Sequence, residues 1–307
     1  MLLSPPSPSP SSSPLSVIYL DANEKTVHFF VPSEIDSSKF EYGFTPYGSD
    51  ISDGGFFSEF GEILHEYSAD RGMNFDKTVL VLPDSLFITD TVRIPASGRR
   101  TSSASLSTTI ASLYKNADDI KFNSSPIVTE NSAITYALAG IRHEYIDKFR
   151  RCCEDERVTL KAVTFASNAA VNAALAISSE LRGAQVLLLN AEKTCTSFAC
   201  VVGAQTVGFH TFPIGLDASG TLSETDAFRA VTKRALDLLR SNSDVLGNID
   251  TVVVNLPSEY RHIYDNVDAE LSGRRIKFRL LPECNEKLPL ALFGGTFVKQ
   301  YNKNNNF

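Results

Sequence analysis

The sequence predicts a duplicated α/β fold: two domains of similar plan, with a small α+β subdomain inserted in the first. Three observations predict it. Each half of the chain opens on strand, polar turn, strand, at Val17–Val31 and again at Val186–Val202. Each half then alternates β-rich runs with stretches of helical periodicity, the pattern of strand–helix units around a sheet. Between them, residues 96–141 change texture to Ser, Thr and Arg with short β-rich runs. A chain of 307 residues is long for a single core, which also favours two domains.

The elements follow in order. Residues 1–16, MLLSPPSPSPSSSPLS, combine proline, which lacks a backbone donor, with serine, which adds nothing to a core. A disordered tail is expected there, with a docking role as the alternative. The first domain spans 17–182. Val17–Leu20 and Thr26–Val31 flank the polar turn Asp21–Lys25 and read as a hairpin. Residues 32–55 read as irregular. Phe56, Phe57, Phe60, Ile63, Leu64 and Tyr67 recur at helical spacing, so Phe56–Arg71 is expected to be a helix. Thr78–Leu82 is a buried strand stopped by Pro83-Asp84, and Leu86–Ile94 a strand stopped by Pro95.

In the inserted subdomain, SGRRTSSAS reads as a loop, Leu106–Tyr114 as a short helix, and Ile120–Phe122 and Ile134–Ile141 as strands. The domain closes with helix Arg142–Glu156, strand Val158–Val163 and the alanine-rich helix Phe165–Leu181, whose small residues permit close packing.

The second domain spans 183–300. Its hairpin is Val186–Leu189 and Cys195–Val202 around the polar turn Asn190–Thr194, with a third strand at Thr206–Thr211. Helix Ser223–Leu239 has a plausible N-cap and one apolar stripe. Strand Asp250–Asn255, helix Glu259–Leu271, strand Arg275–Leu281 and helix Leu288–Val298 follow, and 301–307 read as a frayed tail.

Composition removes several function classes. A net charge of −7 supplies no basic footprint for nucleic acid. No run nears the roughly 20 apolar residues of a membrane span. Five cysteines, an odd number, do not suggest a disulfide framework, so a reducing cytoplasm is the simplest compartment. Cys152-Cys153 lack partners at metal-site spacing. Cys195 and Cys200, placed on one strand at an odd offset, read as core thiols on opposite faces. The five histidines are scattered and no nucleophile-elbow Gly-x-Ser-x-Gly occurs. Ser52-Asp53-Gly54-Gly55 reads as a turn, Arg99-Arg100 falls short of a polybasic anchor, and Arg150-Arg151 reads as a solvated helix face.

Segment order carries a family resemblance. A duplicated α/β domain with a hairpin at the head of each half resembles the actin/Hsp70/sugar-kinase superfamily, a ribonuclease H-like fold. TVLVLPDSLFITDTVRIP resembles the strand pair that precedes the inserted subdomain in the type IV pilus assembly PilM family. ITYALAGIRHEYIDKFRRCCEDERVTLKAVTFASNAAVNAAL is similar to that family's strand, helix, strand and Ala-rich helix, and GFHTFPIGLD to its strand end. The cell-division actin homologue and the GspL cytoplasmic domain share the layout.

This resemblance implies a nucleotide cleft with three contact loops, and each departs from pattern here. The two phosphate turns should read Asp-x-Gly, since backbone amides must approach a phosphate and an acid must orient Mg2+. They read Asp21-Ala22-Asn23 and Asn190-Ala191-Glu192. A glutamate there places negative charge where a polyphosphate would sit. The adenosine loop should be Gly-Gly and reads Asn255-Leu256-Pro257-Ser258, where proline removes a donor. The stretch from Gly215 to Asp250 leaves room for a reduced adenine-side subdomain.

The degenerate cleft is therefore expected at Asp21, Asn23, Asn190, Glu192, Thr194 and Asn255. Asp21 is the one metal candidate, or equally a turn residue accepting backbone hydrogen bonds. Lys193 reads as a solvated turn lysine, with a phosphate contact as the alternative. The expectation is a non-catalytic scaffold without cofactor, peripheral to the inner membrane. As the resemblance implies, it would bind the short cytoplasmic tail of a single-span membrane protein near Thr78–Ile94 and Ile134–Tyr145. The resemblance also admits self-association. The alternative is an ATPase or small-molecule kinase using ATP and Mg2+ through atypical loops.

Overall fold

The structure is a computed structural model of the chain. It describes residues 2–3, 15–33, 39–95, 103–129, 132–202, 204–217, 223–241, 249, 251–264, 277–282, 288–297 and 307. Most of the Pro/Ser-rich segment, the SGRR loop, the second part of the expected helix 259–271 and most of 301–307 lie outside the described residues.

Two sheets share one plan. The first has strands β1 (Leu2–Leu3), β2 (Ser16–Asp21), β3 (Thr26–Pro32), β4 (Phe40–Pro46), β5 (Thr78–Leu82) and β9 (Leu160–Phe165), in the order β1-β4-β3-β2-β5-β9. The second has β10 (Val186–Ala191), β11 (Thr196–Val202), β12 (Gln205–Phe212), β13 (Thr251–Asn255) and β14 (Lys277–Leu280), ordered β12-β11-β10-β13-β14. In each, a hairpin and a third antiparallel strand lie to one side of the first strand, and two parallel strands to the other. The central strands are continuous apolar runs because both faces are covered. Val17–Leu20, Val79–Leu82 and Val186–Leu189 are all buried.

The covering helices follow from their stripes. α1 (Phe56–His65) buries Phe56, Phe60, Ile63 and Leu64, and a π turn at Glu66–Asp70 carries Tyr67 onto the same face. α3 (His143–Asp155) buries Ile146, Phe149 and Cys153 beside it. On the second sheet, α5 (Glu224–Ser241) presents Phe228, Val231 and Ala235 to the core. Two further helices, α4 (Ala166–Ile177) and α6 (Leu290–Gly295), lie between the sheets. Their alanines and glycines let the backbones touch: a Cβ on Gly294 would stand 1.7 Å from the Ala169 carbonyl oxygen. α6, late in the chain, packs on β2 and β5 of the first sheet, so the two halves interlock.

A third sheet, β6 (Phe87–Pro95), β7 (Ile120–Thr129) and β8 (Ala133–Arg142), is ordered β6-β8-β7 and carries α2 (Ser103–Leu113). β6, read in the sequence as a strand of the first domain ahead of the segment inserted at 96–141, pairs along its whole length with β8. The boundary expected at residue 96 falls after it.

Three other differences have physical reasons. The stretch read as irregular contains β4. Its alternation is broken by Gly43, which is required because a Cβ there would meet the Tyr67 ring at 2.6 Å. Leu2–Leu3, expected in a disordered tail, pair with β4 at Glu41 and Phe40. Phe307, expected to fray, pairs with Val163.

Candidate functional site

The duplicated plan brings the two hairpin turns face to face, one at the end of β2 and one at the end of β10. Between them and the β5–β6 connection lies a cavity of about 330 Å3. Asn23, Asn190 and Glu192 line it together with Tyr19, Asp84, Phe209 and Thr211. Thr194 and Asn255 lie just outside it, each hydrogen-bonded to residues of the turns.

Asp21 is buried at the end of β2, and its carboxylate is taken up by its own turn. The backbone N–H groups of Asn23 and Glu24 donate to Oδ1 at 2.9 and 3.1 Å. This is an Asx turn, which fixes the hairpin locally. Burial raises its pKa, against the pull of those two backbone donors. Among the described residues, no group of three or more His, Cys, Asp or Glu is arranged to hold a metal ion.

The second turn is held by a chain of side-chain bonds. Asn190 and Asn255 stand opposite each other on β10 and β13. Asn255 Nδ2 donates to Asn190 Oδ1 at 2.7 Å, and Asn190 Nδ2 donates to Glu192 Oε1 at 2.8 Å. Cys195 Sγ lies 3.6 Å from Glu192 Oε2. Cys195 thus sits in the turn at the cavity and not on β11; Cys200 is in the core as expected. Burial, and then the charge of Asp21, push the Glu192 carboxyl up to about 7. The charge expected on this residue is accordingly only partly present near neutrality.

The space inside this turn is filled by the chain itself. Leu216 and Asp217 N–H groups donate to the Glu192 and Lys193 carbonyls at 2.9 and 2.8 Å. Gly215 makes that approach possible, since a Cβ on it would lie 2.0 Å from the Lys193 carbonyl oxygen. Lys193 points to solvent and pairs with Glu259 at 3.3 Å. In the loop that follows β13, Leu256 turns into the second core.

The two turns also touch each other. Thr194 Oγ1 donates to Glu24 Oε1 at 3.0 Å across 170 residues of chain. A second bridge runs through Asp84. Its carboxylate accepts from the backbone N–H of Ser167 at 2.9 Å and from the Ser167 hydroxyl, capping the first turn of α4, and Thr211 Oγ1 of β12 lies 3.4 Å away. Burial raises Asp84 to about 6. The Phe165 and Phe209 rings pack at a tilt across the same seam, with centroids 5.1 Å apart. In the sequence, Pro83-Asp84 reads only as a strand stop. Its partners are 83 and 127 residues away, so no local pattern marks it.

Two interlocked α/β halves, each headed by a hairpin whose turn faces the cleft, define the actin-like ATPase fold. The solved structures it resembles are consistent with this. The chain is similar to a PilM–PilN type IV pilus biogenesis complex, at 12% identity over 94% of this chain and 99% of that one, with a TM-score of 0.65. It is similar to the cytoplasmic domain of EpsL, an inner membrane component of the Vibrio cholerae type II secretion system, at 13% identity over 94% and 96%, TM-score 0.53. It is also similar to a Bacteroides thetaiotaomicron protein of actin-like ATPase fold, at 12% identity over 92% and 96%, TM-score 0.51. No family model and no curated protein matches the sequence.

Proposed function

We propose that this chain is a non-catalytic actin-like scaffold that receives an extended segment of a membrane protein in a pilus- or secretion-type assembly. The observation that carries the reading is the contact between the two turns. Where an actin-like ATPase would hold phosphates and Mg2+ between Asp-x-Gly turns, Glu24 and Thr194 bond directly, and the second turn is filled through Gly215. The Asp21 acceptor atom is committed to Asn23 and Glu24. Asn190, Glu192 and Asn255 are committed to one another. The residues present do not fit ATP with Mg2+. Likeness to the PilM–PilN and EpsL structures supports the choice of assembly. The proposed docking groove is the one between the first sheet and the β6–β8 sheet. No helix among the described residues is long and apolar enough to cross a membrane, so a partner would supply the attachment.

The test is a thermal-shift titration to millimolar ATP, with and without Mg2+. No change in Tm is expected, because a ligand that binds only the folded state must raise it. Tight ATP binding that is abolished by Asp21→Ala overturns the reading. For the partner, the chain is expected to co-purify with the short cytoplasmic tail of a single-span membrane protein encoded beside it.

A further inference from the structure

One contact is absorbed by neither the fold nor the cleft. Among the described residues, β9 is the last strand of the first sheet, and its strand partner is β5. An edge of this kind exposes a row of unpaired N–H and C=O groups. At Val163 that row is closed by Phe307. The Val163 N–H donates to the Phe307 carbonyl at 2.9 Å, and the Phe307 N–H donates to the Val163 carbonyl at 2.7 Å. Exchange of both bonds between two residues is the pattern of an antiparallel ladder pair. The Phe307 ring lies 5.6 Å from Phe87, which in turn lies 5.1 Å from Phe165. Phe87 opens β6, so this seat lies where the first sheet meets the small sheet.

Among the described residues, the occupant's anchor is Phe307. The five residues before Phe307 in the sequence, Asn302-Lys303-Asn304-Asn305-Asn306, carry no apolar side chain. One aromatic ring and one ladder pair can be displaced by a segment that brings more of each.

We infer that the β9 edge at Val163 is a strand-addition site, and that Phe307 occupies it in cis as a stand-in for the partner. The partner is an extended peptide, antiparallel to β9, with an aromatic or large aliphatic residue opposite Val163 that seats against Phe87. Main-chain pairing supplies affinity and the ring pocket supplies selectivity. This rests on the docking reading above and makes it specific: the chain's own Phe307 competes with the tail it receives.

The experiment compares the full chain with its Phe307→Asp variant. The probe is a fluorescent peptide of residues 299–307, KQYNKNNNF, titrated by anisotropy. A tethered competitor acts at an effective concentration near millimolar, so the peptide should bind the variant about tenfold more tightly than the parent. Hydrogen exchange at the Val163 amide should be faster in the variant and slow again when peptide is added. Equal affinity for the two forms, no binding to either, or unchanged Val163 exchange overturns the inference. A parent dimer that dissociates in the variant also overturns it, because a second copy would then fill the seat. The membrane-protein tail is titrated in parallel. Tail binding that is equal in both forms refutes the cis seat and leaves docking standing. Absence of tail binding, with the peptide still discriminating, refutes docking and leaves the seat.

Discussion

Replacing Glu192 by glutamine should stabilise the protein above neutral pH and change how its stability responds to pH. The carboxyl is raised by burial and by Asp21 from an ordinary 4.5 to about 7. The sign follows from proton linkage. A carboxyl with a raised folded-state pKa holds its proton in the folded chain after the unfolded chain has lost it. Its contribution is therefore full below the unfolded value and is lost as pH rises through 7. Between about pH 5.5 and pH 8, full linkage amounts to about 2 kcal/mol. Glu192 is half-buried, and solvent screening lowers the expectation to about 1 kcal/mol.

Glutamine keeps the acceptor for Asn190 Nδ2 and cannot ionise. The measurement is urea unfolding of parent and Glu192→Gln at both pH values. The difference between the two proteins isolates Glu192 from Asp84, raised to about 6, and from buried His28, lowered to about 4 by burial, since both titrate in each protein. The advantage of the variant should grow by about 1 kcal/mol from the lower pH to the higher. A difference that is flat with pH, or a variant less stable than the parent at pH 8, refutes the argument.

Three further outcomes are expected. Gly294→Ala, whose new Cβ would stand 1.7 Å from the Ala169 carbonyl oxygen, should force α4 and α6 apart and cost about 3 kcal/mol in urea unfolding, the upper part of the overpacking range. Asp84→Ala leaves the Ser167 N–H without its acceptor at the start of α4 and should cost roughly 2 kcal/mol, read as a lowered Tm at pH 7.5. Phe149→Ala empties a fully buried site packed edge-on against Phe56, Phe57 and Phe60 and should cost about 3–5 kcal/mol, measured by the urea midpoint.

The fold was legible where period and burial agree. Val79–Leu82 and Val186–Leu189 are apolar on every residue because parallel strands are covered twice, and Phe56, Phe60 and Ile63 keep helical spacing because α1 has one wet face. What was not legible depends on distant partners. Gly43 looks like a loop residue and is a strand residue facing Tyr67. Phe87–Pro95 reads as any strand, and only its pairing with β8 assigns it to the small sheet. Within the cleft, the departures at Asn23, Asn190 and Glu192 were visible as residue types. The bonds that use those residues were not, because Asn190 meets Asn255 only through the parallel register of β10 and β13.

On the proposed reading, those bonds bear on how such a fold can serve without a nucleotide. The halves meet at the packed helices α4 and α6, at the paired turns, and where β12 lies against the small sheet. The helices alone leave the turns free to separate, and in an ATPase a ligand between the turns controls that separation. Here Glu24 to Thr194, Asp84 to Ser167 and Thr211, and Phe165 against Phe209 span the seam with protein groups on both sides. The exposed Glu24–Thr194 pair contributes on the order of 1 kcal/mol or less, and the buried Asp84 bonds contribute more. They act in parallel with a helix contact that Gly294 makes nearly incompressible, so opening must break them together. On the proposed reading, this fixes the first sheet, and with it the β9 edge and Phe87, relative to the rest of the chain at no ligand's discretion. A surface that must register an extended partner strand residue by residue is better served by that fixed geometry than by a cleft that opens and closes.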